Sequence, residues 1–161
     1  MNKKAHLLAA FLTFIAIVTG SDLYARMTIA GEDFGVAVSE HLRWASFTIV
    51  GLFFLFTPFA GVAIICSRAN RRARTRSIGA IFSFAVLCLG YFYFDAFQAA
   101  QHAMIMERWT AAAMSIGLLP FFIGIPLLLI VFGFAKLIAR LDPIAPDERQ
   151  QSALDADVPI K

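Results

Sequence analysis

Four apolar segments, Ala5 to Ser21, Trp44 to Cys66, Ile78 to Ala100 and Thr110 to Ala135, occupy most of a chain of 161 residues. The last three exceed the roughly 20 residues that an α-helix needs to cross a bilayer core of about 30 Å. The first reaches the lower limit of about 17 only with Gly20 and Ser21 included. Each segment is bounded by charge, and with 60% hydrophobic and 16% charged residues and a mean hydropathy of +0.74 the chain lies outside the range of soluble domains. The expected fold is an all-α integral membrane protein, a four-helix transmembrane bundle. Residues 1–140 form one transmembrane domain, and residues 141–161, with Pro143, Pro146, Pro159 and five acids, read as a disordered acidic tail.

Charge placement gives the expected topology. Ser67 to Ser77 reads SRANRRARTRS, with Arg68, Arg71, Arg72, Arg74 and Arg76 in a loop too short for a domain. Basic loops stay on the cytoplasmic side, and the same loop is suited to anionic lipid headgroups. Lys3, Lys4, Lys136 and Arg140 fall on that side too, while the other side holds only Arg26, Arg43 and Arg108. The expectation is an inner-membrane, multi-pass protein with both termini cytoplasmic. The basic start and short apolar core of residues 1–20 also fit a secretory signal peptide. A retained span is preferred because no clean small-residue cleavage site follows.

One stretch departs from simple apolarity. Along Cys88 to His102, residues Tyr91, Asp95, Gln98 and His102 share a sector of roughly 80° with Cys88, a polar seam on one side of a helix. An aspartate near hydrocarbon is costly. Counting from Ile78 at 1.5 Å per residue puts Asp95 about 25 Å up, near the outer edge of the core. It either rests at the interface, paired with an outer-loop cation such as Arg43, or lines a candidate pocket. The inner continuation of the seam, Phe84 and Ile81, is apolar, so the bundle is expected to be polar in its outer half and dry in its inner half. That pattern favours an outward-facing surface over a conduit.

Other features refine the expected architecture. Ser21 to Arg43 is a mixed-charge connection in which Met27 to Ala30 and Val36 to Val38 suit a small hairpin around Gly31 and Gly35. Pro58 should kink the second span and free the Phe54 carbonyl, to be met by Thr57 or a neighbouring helix. In the fourth span Ala113, Gly117, Pro120 and Gly124 form a small-residue stripe suited to close helix contact. Pro120 and Pro126 argue against a straight helix.

Several chemistries lack their residues. The two cysteines, Cys66 and Cys88, form neither a CxxC pair nor a metal-ligand spacing. His102, Met104 and Met106 carry soft-ligand character, but no defined ligand set, so no metal is assigned. No nucleophile–base pair, phosphate-cradling loop or haem motif is present. The chain is therefore read as non-catalytic, without cofactor and without nucleic acid as a partner. Its expected partners are the bilayer and either another membrane protein or a second copy. The expected role is an accessory or assembly subunit, or an immunity-type protein, acting through its outer face. The alternative is a small transporter or metal-handling protein using Asp95 and His102.

Overall fold

The computed structural model describes residues 3–70 and 75–141. All regular structure among them is helical: α1 (Lys3–Thr28), α2 (Phe34–Phe47), α3 (Ile49–Ala69), α4 (Thr75–Ile105), α5 (Trp109–Gly117), a π-helical turn (Pro120–Gly124) and α6 (Ile125–Leu141). Four helices are long and apolar enough to cross a membrane: α1, α3, α4, and α5 to α6 taken as one. Arg71, Arg72, Arg74 and the acidic tail lie outside the described residues.

Helices α3 and α4 form the centre of the bundle, with α1 packed along both on one side and α5–α6 on the other. Ring contacts show the directions. His6 meets Phe82 and Tyr24 meets Phe94, so α1 and α4 run parallel, while Trp44 meets Phe97 at the opposite end of the α2–α3 limb. Phe54 stacks on Phe121 and Gly124 abuts Pro58, so the fourth limb runs with α3. The order is up, down, up, down, and Lys3 and Leu141 lie at the same end.

Phe14 of α1, Phe59 of α3 and Tyr93 of α4 meet at the centre, with ring centroids 5.3 Å apart for Phe14–Phe59 and Phe59–Tyr93. Edge-on aromatic pairs of this kind contribute about 0.5–1.5 kcal/mol beyond the area they bury. The Tyr93 hydroxyl donates to the Leu55 carbonyl at 2.6 Å, within the turn that Pro58 loosens by lacking an N–H. Thr57 donates to Phe53 instead, at 3.3 Å. The neighbouring-helix donor thus exists but serves Leu55, not Phe54. Tyr93→Phe, which removes that buried bond while the Leu55 carbonyl stays within the continuous helix, is expected to cost about 1 kcal/mol, read as a lowered thermal midpoint in detergent; an unchanged midpoint would mean the bond adds nothing.

The connection expected as a hairpin is helical. Met27 and Thr28 complete α1 and Val36 to Val38 belong to α2, with only the turn around Gly31 between them. Gly31 sits at φ +70°, where a side chain would be strained. The β-prone residues were too few to outweigh two helices that pack on one another. Across Thr48 the backbone bonds continue, Thr48 N–H to Trp44 O and Leu52 N–H to Thr48 O, so α2 extends the α3 limb. With 21 residues, α3 alone is about 31 Å long, long enough to cross a bilayer core of about 30 Å without α2.

The regular α-helix of the fourth limb is interrupted at Pro120. Pro120 cannot donate to Ile116, and the chain takes a π turn closed by Ile125 N–H on Pro120 O. The extra residue rotates the following helix by about 100°, so Gly124 no longer shares a face with Ala113 and Gly117. Ala113 and Gly117 are exposed, and nothing approaches a Cβ built on Gly117, whereas Pro120 and Gly124 are buried. The rotation brings Gly124, Val131 and Ala135 into line with Ala112 and Leu119, all buried.

Outward-facing side chains are largely apolar, among them Phe53, Leu87, Phe122 and Leu129, each about 70% exposed. Only 33% of the most apolar window of α3 and 28% of each of the other three is buried within the protein. An apolar surface of that extent is compatible with a multi-pass membrane protein.

Candidate functional site

The acidic residues of the described chain, Asp22, Glu32, Asp33, Glu40, Asp95 and Glu107, all lie at the end of the bundle away from its termini. Four charged or titratable side chains there form one cluster. Asp22 is two turns from the end of α1, and Arg26 follows at the i+4 position that puts both on one face. Arg26 Nε donates to Asp22 Oδ2 at 2.9 Å, and the same oxygen meets His41 Nδ1 of α2 at 2.9 Å. Because a carboxylate only accepts, Nδ1 carries the proton of that bond. Arg26 Nη1 also reaches Glu32 Oε1 at 3.5 Å, and Glu32 Oε2 is buried without a hydrogen-bond partner.

These groups are substantially withdrawn from solvent, the side chains of Asp22 and His41 being 9% exposed and that of Arg26 12%. Removing an ion pair from water costs several kcal/mol per charge, which only good geometry and further bonds offset. One carboxylate shared by a guanidinium and an imidazole supplies both. The cluster therefore acts as a clasp that holds α2 against the end of α1. By contrast the Arg43–Glu40 pair, 3.3 Å apart with Arg43 69% exposed, is a surface contact.

Held in this way, α2 buries Ala37 and His41 inward and half-buries Trp44, whose ring meets Phe97 edge-on at 5.8 Å. Its opposite side, Val36, Ser39, Leu42, Arg43 and Phe47, is exposed. Apolar, hydroxyl and cationic groups alternate there over three turns, a surface able to pack against protein as well as to bond with it.

The polar seam is arranged differently from a pocket. Tyr91, Asp95 and His102 lie on the exposed side of α4, while Gln98 turns inward and donates to the Ser21 carbonyl at 3.5 Å. Tyr91 lines a shallow apolar groove between α1 and α4 with Ile17, Gly20 and Phe94; Asp95, Gln98 and His102 do not line it. Arg43, the expected partner of Asp95, bonds Glu40 instead. Among the described residues no three His, Cys, Asp or Glu side chains are grouped to hold a metal ion, and both cysteines are free thiols. Of the loop arginines, Arg68 and Arg76 are exposed at the opposite end.

Sequence reasoning missed the clasp. The Asp22–Arg26 spacing was its signal, but it becomes visible only if α1 continues past Ser21. The fold defines the class, an all-helical chain with four helices long and apolar enough to span a membrane. No protein-family model matches it, and neither does any curated protein or solved structure.

Proposed function

We propose that this is a small, non-catalytic inner-membrane protein that acts through protein–protein contacts at its outer face, as an accessory or assembly subunit of a membrane complex or as an immunity-type protein. The observation that carries this reading is the buried clasp of Asp22, Arg26 and His41, which fixes a short helix with a mixed exposed face beyond the length of a span. Both termini are cytoplasmic in this reading, because Lys4, Arg68, Arg76, Lys136 and Arg140 share the end at which the described chain begins and finishes. A transporter or metal handler built on Asp95 and His102 draws less support, since both side chains are exposed on α4.

The test is purification of the tagged full chain from native membranes in mild detergent, beside a Val36→Glu/Leu42→Glu variant. A stoichiometric companion protein should accompany the parent chain and be lost from the variant, with helicity and thermal midpoint unchanged. A chain that emerges alone in both forms overturns the reading. Asp95→Asn then addresses the alternative, because uptake or efflux that depends on this carboxylate would place the protein among carriers.

A further inference from the structure

We infer that the end of the bundle nearest the chain termini carries a binding site for one anionic phospholipid, in the groove between the last turns of α3 and the last turns of α6. The inference requires a bilayer around the bundle and is independent of what the outer face contacts.

Helices α3 and α6 are in close contact where a Cβ on Gly124 would stand 2.6 Å from Pro58 Cγ and one on Gly61 would stand 2.6 Å from Leu128 Cδ2. Two turns further toward the termini, small side chains face each other and the contact opens into a cavity of about 410 Å³. Ile65, Phe132, Ala135 and Ala139 give it apolar walls, and Arg68 and Lys136 stand at it from either helix. Both cations are exposed, and neither joins an ion pair among the described residues.

Charge selects the occupant. Among the described residues every acid is at the far end of the bundle, so no carboxylate in them competes for the two cations. The C-terminal ends of α3 and α6 present partial negative charge of about half a unit each, which two full positive charges outweigh. An apolar trough with a cation on either side, at the edge of an outward-facing apolar surface, fits an acyl chain below a phosphate. Basic pockets between spanning helices are known to hold such headgroups. A guanidinium supplies paired donors to phosphate oxygens and an ammonium supplies a compact charge, so the pair complements a phosphodiester without needing a second protein.

The test is native mass spectrometry of the full chain in detergent, with phosphatidylglycerol or phosphatidylcholine of the same acyl length added. Phosphatidylglycerol should be retained in preference, as a single bound molecule. Arg68→Gln and Lys136→Gln should each weaken retention roughly fivefold, and the double variant roughly 25-fold, the scale expected for one basic residue beside an anionic headgroup. Arg140→Gln removes the same charge at the same end without touching the groove and should change retention less than twofold. Ala139→Phe, which fills the trough and leaves both cations, should also lose the lipid. Equal losses in Arg140→Gln and Lys136→Gln, or equal retention of both lipids, would reduce the effect to general surface charge and overturn the site. So would a parent chain that binds no lipid while its acidic tail crosslinks to Lys136.

Discussion

Asp22→Asn is expected to destabilise the end of the bundle away from its termini by about 3 kcal/mol, at the low end of the range for breaking a buried ion pair. Asparagine keeps the shape of the side chain but not its charge, so Arg26 is left with Glu32 at 3.5 Å and His41 loses an anionic acceptor. The low end is appropriate because Arg26 keeps that second carboxylate and about a tenth of each side chain still reaches solvent. The loss should be local first. Amide hydrogen exchange in α2 should accelerate roughly a hundredfold, following the tenfold change per 1.4 kcal/mol, with the centre around Phe14, Phe59 and Tyr93 much less affected. Glu40→Gln, which breaks only the exposed pair with Arg43, should cost less than about 0.5 kcal/mol. Equal effects from the two substitutions would show that the clasp is no more than a surface contact.

Gly124→Ala is expected to cost about 1–3 kcal/mol, the usual penalty for forcing a methyl group into a filled interior. The added carbon would lie 2.6 Å from Pro58 Cγ and 3.1 Å from its Cβ. A proline ring on a helix cannot swing aside, so α3 and the π turn must separate. Gly61→Ala provides the comparison, since its new carbon meets the terminal carbons of Leu128. A leucine end can change rotamer, and that substitution should cost under about 1 kcal/mol. Thermal midpoints of the two variants in one detergent decide between rigid and yielding contact. A larger loss at Gly61 would contradict the packing described.

Much of the architecture is legible from the residues alone, because four apolar segments separated by charge leave few alternatives to an up-and-down bundle. Pro120 interrupts the α-helix as its chemistry predicts, whereas Pro58 lies within one continuous helix and neither Thr57 nor the neighbouring Tyr93 bonds the Phe54 carbonyl. What the residues do not disclose is which way a face points. In a soluble helix the apolar stripe marks the core, but here both the core side and the outer side are apolar, so periodicity defines a seam without orienting it. Tyr91 and Tyr93 illustrate the difficulty: two residues apart in the same apolar context, one is 68% exposed and the other buried with its hydroxyl on Leu55. The small-residue stripe divides for a related reason, since a π turn shifts the phase of everything after it. The clasp depends on contact between Asp22 and His41, 19 residues apart, across a connection whose mixed composition suits strand or helix equally.

The exposed face of α2 is the surface proposed to meet another protein. Its most direct test places a photo-crosslinking residue at Leu42, on that face, and in a separate chain at Phe53, on the apolar surface of α3, with irradiation in native membranes. A discrete protein adduct at position 42, weaker in the Asp22→Asn background and absent from position 53, is the predicted result. Adducts that are absent from position 42, or equally strong at both positions, would contradict it.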